Sequence, residues 1–524
     1  MKQRIAIVLF IISSAQCVGQ KNDNIWLLSY SAALSHTPFP DAAIDFSNGN
    51  ADTFRVFKPL AFFNTDASIC DSSGKLLFYT NGQQINNRFH QKLWNSYRYN
   101  PGWCSDKFYV SISGTDTTYQ GLGLGQSCLI LPAPYDTNLY YIFHESADSF
   151  FSQEFNLWSF DPLNLRYSVI DMRLNADSGG IIPTKKSIVL INDTLLAGRL
   201  TAVRHANGRD WWIVSHKQSS DLVYIMLLSD TGVSIKSQHL SSIYHEKTEL
   251  PQFSGQLVKS DYYGQVCFSP DGSKYAMTGW ECELLLADFD RCKGEFNNVK
   301  VINTPIVDSF QFVPLGCAFS PSGRYLYVNL NFRFFQYDTW EPNLDSADAV
   351  EITWITDSAT TYLPFTEQLA PDGKIYINTF GGTKNMHIID KPDLAGNACH
   401  VIQNGLTLPQ YNTGMPNFPY FRLHEGNECD TIVTTHTEII LYPNPSNGQL
   451  TIAWDSLPGS NIFVYDVLGR EVSNYLIPDN LTGVYGKNNN TAIIDVSRLA
   501  AGMYIMDVRA KSGLRVGKKF IVER

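Results

Sequence analysis

The residues best suited to chemistry in this 524-residue chain are few and scattered. His205 and His216 flank a segment containing Trp211 and Trp212, and His144 lies beside Glu145. An imidazole next to a carboxylate suits proton transfer. Indole rings beside polar groups suit a ligand with one apolar and one hydrogen-bonding face. Trp280 with Glu281 repeats the combination. The candidate ligand residues are therefore His144, Glu145, His205, Trp211, His216, Trp280 and Glu281. Packing alone accounts for the same residues, since tryptophans in alternating strands are usually buried and histidines at strand ends usually bond to backbone or water.

Catalytic signatures are absent. There is no GxSxG, HExxH or EF-hand loop, and no CxxC pair to suggest zinc. The run GLGLG from Gly121 lacks the GxGxxG spacing and reads as a loop before a strand at Cys128–Leu131. No catalytic residue, metal or cofactor is expected from these patterns, and the chain is read as a non-enzyme.

The elements that must position these side chains are strands. Aromatic residues make up 13% of the chain, with 36 Gly and 24 Pro, a composition of short strands joined by tight turns. The length points to more than one domain. The net charge of −10 comes without any Lys/Arg run, so no nucleic-acid partner is expected. Lys2 and Arg4 precede an apolar run from Ile5 to Ile12, and residues 1–20 read as a secretory signal peptide. Gln16 stands where a lipidated Cys17 would want a small residue before it. No stretch approaches the ~20 apolar residues of a transmembrane helix. Nine of the ten cysteines follow the signal, in a compartment that permits disulfides. Cys282 with Cys292 and Cys399 with Cys429 are close enough in sequence to close short loops, while the others read as small buried apolar residues.

A repeat runs through the middle: CFSPDGSKYAMTG from Cys267, CAFSPSGRYLYVNL from Cys317 and QLAPDGKIYINTF from Gln368. Gly272, Gly323 and Gly373 are 51 and 50 residues apart, the length of a four-stranded propeller blade. In each copy a strand ends in a turn where Pro presets φ and Gly accepts φ > 0, and a β-branched or aromatic strand comes next. A third strand then ends in Asp290, Asp338 or Asp390, each placed to bond the next turn. Degenerate copies sit upstream at DSSGKLLFYTNG, DTNLYYIFHE and HANGRDWWIVSH. Six hairpins over about 405 residues predict an all-β propeller of about seven blades across residues 21–429. The seventh blade is expected to be shared by the termini, with a strand at Asn24–Leu27 pairing with the end of the ring. CDSSGKLLFYTNG, LTAVRHANGRDWWIVSHK, ADFDRCKGE and LAPDGKIYINTFGG resemble uncharacterised propeller-like domains of secreted Bacteroidetes proteins, a resemblance that implies fold and habitat but no activity.

A Thr-rich linker, 430–437, leads to a second domain over residues 438–524. About seven short strands predict a small immunoglobulin-like β-sandwich. The ordered motifs YPNP, YDxxGR, LAxGMY and KKFIV comprise Tyr442, Pro443, Asn444, Pro445, Gly448, Tyr465, Asp466, Gly469, Gly502, Tyr504, Lys518 and Lys519. In order and spacing they resemble the type A C-terminal sorting domain of the type IX secretion system. The resemblance implies export through the periplasm to the medium or outer cell surface, with the translocon and its sorting-signal peptidase as partners. The expectation is thus a binding module for an extracellular glycan or surface protein. Alternatives are a propeller enzyme acting on extracellular glycans and a structural surface or motility component.

Overall fold

The computed structural model describes residues 20–524 apart from 31–38, 63, 109–120, 153–156, 219, 241–263, 280–282, 303–313, 331–332, 342–343, 346–347, 354–363, 380–381, 424–428, 430–439, 455–460, 467–469, 477–489 and 510–514. The expected signal peptide falls almost entirely, and the expected linker entirely, outside the described residues. Contacts divide the chain into two compact units that meet between Asn427 and Glu428.

The repeat turns fold as their chemistry dictates. Gly272 donates its N–H to Ser269 O at 2.8 Å, Gly323 to Ser320 O at 2.8 Å and Gly373 to Ala370 O at 3.0 Å. All three glycines lie at φ between 72° and 80°, where a Cβ would be strained. The degenerate copies close the same way, Gly74 onto Asp71 O and Gly208 onto His205 O. Strand-end aspartates hold the adjoining turns: Asp290 accepts from the Cys292 and Lys293 N–H groups, and Asp338 from Trp340 N–H.

Each of the six hairpins seen in the sequence forms the first two strands of its own antiparallel sheet. The second sheet runs Ala67–Cys70, Leu76–Thr80, Ile85–Asn87. In the third, Cys128–Pro132, Leu139–Glu145 and Asn164–Asp171 are edged by Gly180–Ile181 and Ile188–Asn192. The fourth to seventh have four strands each in sequence order, beginning at Thr201–Arg204, Val266–Phe268, Pro314–Phe319 and Pro364–Leu369. First strands of successive sheets touch from the first to the third and from the fourth to the seventh. The last strand of the seventh, Val401–Asn412, lies against the first sheet. This succession is a seven-bladed β-propeller.

The first sheet corrects the expected closure. Ile25–Leu28 pairs with Phe39–Asp45, which pairs with Asp52–Lys58, so among the described residues the first strand pairs within its own three-stranded sheet and not with the end of the ring. Its turn lacks the repeat motif, which hid its two later strands in the sequence. Among the described residues closure is made by side chains and by the backbone bond from Thr413 N–H to Ser29 O, not by strand pairing. Trp26 is fully buried among Phe46, Tyr376 and Phe418, with ring centroids 5.0, 5.9 and 6.2 Å away. Those partners come from the first sheet, the seventh sheet and the segment after it.

The C-terminal unit packs Ile440–Tyr442, Gln449–Trp454 and Asn490–Asp495 in one sheet. The other sheet has the order Glu471–Leu476, Asn461–Asp466, Gly502–Arg509, Arg515–Val522. Leu450, Ile452, Ile462, Val464, Met506, Val508 and Phe520 from both sheets form its core, the alternation expected of a sandwich.

Candidate functional site

His144 and Glu145 are neighbours on the strand Leu139–Glu145, so their side chains leave opposite faces and cannot act as a pair. Both are buried. His144 lies 3.0 Å from Asn100 Oδ1 and 3.4 Å from Ser168 Oγ, with the edge of Tyr99 against its ring. Burial, helped by the charge of Arg166, pushes its pKa down to about 3, so it is neutral and structural. Burial pushes Glu145 up to about 8; the Gly198 N–H at 3.4 Å, the charge of Arg199 and the Ser215 hydroxyl oppose the shift only in part.

His216 is also buried, its Nε2 2.7 Å from Tyr275 Oη, and desolvation with the charge of Arg199 takes it down to about 3. Glu145 and His216 thus share the buried Arg199 as an electrostatic neighbour. His205 is elsewhere. It stacks on Trp212 with centroids 5.4 Å apart near the far end of the strand Trp211–His216, four residues or about 13 Å from His216 at ~3.3 Å per residue. Trp211 is fully buried, with the Arg204 guanidinium 4.2 Å from its ring centroid and Phe421 against its edge. Among the described candidates, the burial of His144, Glu145, Trp211 and His216 favours the packing role. Trp280 and Glu281 lie outside the described residues. The GLGLG run is a packed loop: Leu122 and Leu124 are buried, and Leu122 N–H bonds Asn81 O.

The centre of the ring holds what the sequence did not reveal. Residues 413–423 return across it after the last blade. Asn417 donates through Nδ2 to Cys128 O and Leu200 O, both at 2.9 Å, accepts from Gln126 Nε2 at 3.2 Å, and gives its backbone N–H to Asp66 O. Thr413 N–H bonds Ser29 O, and Arg422 pairs with Asp23. One side chain of this segment ties the third sheet to the residue before the fourth. Gln265 ties the fifth, sixth and seventh in the same manner, accepting from the Cys317 and Glu367 N–H groups.

Carboxyls around this plug are desolvated. Glu367, held by Asn329 Nδ2 at 2.9 Å, is pushed by burial to about 8. Burial holds Asp66 well above the usual carboxylate range despite the nearby Lys58, and neither of its oxygens has a hydrogen-bond partner among the described residues. Lys58 is itself buried and paired with Asp41 at 2.6 Å. The cavities left beside the plug, one lined by Gln265, Cys317, Glu367 and Phe418 and one by Gln126, Gly264 and Gly414, measure about 40 and 30 Å³. Each has room for about one or two waters. Polar residues at the starts of strands carried no motif; the Pro- and Asn-rich run NTGMPNFPYF was the one available signal.

Cys292 and Cys429 are each engaged in a disulfide, and Cys282, the expected partner of Cys292, lies outside the described residues. Cys399 corrects the expected pairing with Cys429: it is a free thiol, buried with Tyr325, Tyr327, Phe334 and Ile375, where it serves as a small apolar side chain.

In the sandwich, the motif residues fasten the last strand. Asn444 Oδ1 accepts the Ile521 N–H at 2.8 Å and its Nδ2 reaches Lys519 O; Ser446 exchanges backbone bonds with Ile521 and Glu523. Tyr442 is half exposed before Pro443 and Pro445, and Gly448 O accepts the Val496 N–H. Asp466 binds Arg470 at 2.8 Å. Tyr465 and Tyr504 face Ile505 and Phe520 across the pairing, and Tyr504 Oη donates to Ala500 O at 2.8 Å, closing the corner before Gly502. Lys518 and Lys519 are exposed on the last strand, and Gly469 lies outside the described residues.

The chain is thus a β-propeller joined to a small sandwich. Residues 440–523 match the family of secretion system C-terminal sorting domains, and this segment is a type IX sorting domain. The protein is secreted or carried on the outer surface. No curated protein matches the chain. Among solved structures it is similar to the β-propeller domain of Myceliophteria thermophila Cps50 (Swd1), at 10% identity, covering 72% of this chain and 97% of that one, with a TM-score of 0.30. It is also similar to Chaetomium thermophilum Sqt1, bound to the N-terminus of ribosomal protein L10, at 14% identity, 75% and 87% coverage and a TM-score of 0.31. A gluconolactonase from Xanthomonas campestris matches at 9% identity, 69% and 94% coverage and a TM-score of 0.29. The blade assignment rests on the strand order itself. Among the described residues no helix is long and apolar enough to cross a membrane.

Proposed function

We propose that the propeller is a non-catalytic binding module for an extracellular polysaccharide or protein, carried out of the cell by its sorting domain through the translocon and trimmed by the sorting-signal peptidase. The observation that supports this reading is the plug at 413–423. A propeller enzyme would need carboxylates gathered at an open central mouth. Here Asp66, Glu145 and Glu367 are buried and pushed toward their neutral forms. The two cavities described beside the plug admit water but no sugar ring. In this reading the ligand meets the outer faces of the blades.

The purified chain, screened on a glycan array with and without calcium, is expected to retain a defined set of polymers and to release no reducing ends from them. Steady release of reducing ends by the wild-type chain would replace the binding reading with the enzymatic one.

A further inference from the structure

Where the fifth and sixth blades meet on the outside, the surface opens into a groove of about 620 Å³, within the size range of small-molecule sites. It is lined by the third and fourth strands of the fifth blade, Glu283–Asp290 and Glu295–Ile302, and by the turn after Arg333–Asp338 of the sixth.

Two local devices shape it. Pairing of the two fifth-blade strands slips between Leu286 and Asp288, so that Asn298 and Val299 oppose Ala287 alone, and Asn298 takes φ 49°. Such a bulge re-aims side chains, and Asn is among the few residues that tolerate that φ. Asn298 Nδ2 consequently reaches Asp288 Oδ2 at 2.7 Å, while Lys274 Nζ holds Asp288 Oδ1 at 3.0 Å. A carboxylate offers about four lone-pair sites, so Asp288 keeps acceptor capacity for a ligand.

The second device is the rim. Trp340 is 63% exposed, a large apolar surface that folding leaves in water. Its turn is fixed by Asp338, which accepts the Trp340 N–H on its side chain and the Glu341 N–H on its carbonyl. Asp338 also grips Arg324 at 2.6 and 2.9 Å, and the guanidinium lies 5.1 Å from the Trp340 ring centroid. The indole is therefore held in place before any ligand arrives.

The charged lining residues balance, Lys274 and Lys300 against Asp288 and Glu341, so the groove selects neither anion nor cation. An apolar ring beside a dense set of donors and acceptors fits a neutral polyol with one C–H face. We propose that this groove binds a neutral oligosaccharide, one sugar ring lying on Trp340 and its hydroxyls bonding Asp288, Asn298 and Lys274. The proposal rests on the binding reading above and gives it a place and a ligand class.

The test is calorimetric titration of the full-length chain with neutral cello-, xylo-, manno-, malto- and chito-hexaose, using wild type, Trp340→Ala, Trp340→Phe and Asn298→Ala. Trp340→Ala is expected to weaken binding of the preferred series about tenfold or more and Trp340→Phe to keep most of the affinity, both at unchanged melting temperature, while Asn298→Ala weakens binding several-fold and also lowers the melting temperature, because alanine is strained at φ 49°. Wild-type binding that Trp340→Ala leaves intact overturns the groove while sparing the binding reading. Failure of all five series overturns the ligand class, as does a protein ligand whose capture depends on Trp340. A wild-type chain that retains neither glycan nor protein overturns the binding reading itself.

Discussion

Replacing Asn417 with alanine removes the side chain that crosses the middle of the propeller. Three hydrogen bonds go: two to the Cys128 and Leu200 carbonyls at 2.9 Å and one from Gln126 at 3.2 Å. Asn417 is only 4% exposed, so water cannot simply take its place. Each lost buried bond costs about 1 kcal/mol and the stranded partners add to that, giving about 3 to 4 kcal/mol in total. Urea unfolding monitored by tryptophan fluorescence is the assay. Trp26 and Trp211 lie against Phe418 and Phe421 of the plug and report its release. The midpoint should fall while the slope stays constant. A loss below about 1 kcal/mol would refute the view that the segment locks the ring.

The same geometry sets the pH dependence of stability. Glu145 and Glu367 titrate near 8 in the fold against about 4.5 when unfolded, so the folded state binds more protons across that window and stability falls as pH rises through it. His144 and His216, depressed to about 3, act with the opposite sign between 3 and 6.5 and offset the carboxyls there. From pH 6.5 to 8 the histidines no longer oppose the carboxyls, and Glu145 and Glu367 should bring a loss of up to about 4 kcal/mol in chemical denaturation, which the double change Glu145→Gln, Glu367→Gln removes while leaving the contribution of Asp66, raised in the same direction. In the sandwich, Tyr504→Phe loses the bond to Ala500 O and should lower the stability of that unit by about 1 kcal/mol in thermal scans, with export retained.

How much could be read from the sequence depended on what each residue does. Gly272, Gly323 and Gly373 mark turns because only their backbone freedom allows the conformation, so the hairpins they close were plain. The first blade was half hidden because its strands Phe39–Asp45 and Asp52–Lys58 meet at a different turn. His144 and Glu145 stood side by side in sequence, yet strand alternation sends them to opposite faces. Cys399 was near Cys429 in sequence but is packed in the apolar cluster between the sixth and seventh blades. Gln126, Gln265 and Asn417 carry no local pattern, since their partners are about 50 to 290 residues away and appear only when the blades are set in a ring. The groove at Trp340 escaped for the same reason: its two walls come from different repeats.

Delivery by the sorting domain is the claim on which the functional account stands, and it is tested most directly by deleting Glu438–Arg524 in the native host and locating the remaining chain by fractionation and surface proteolysis. The expected result is a folded propeller retained in the periplasm and protected from added protease. A truncated chain that still reaches the surface or the medium in wild-type amounts would contradict it.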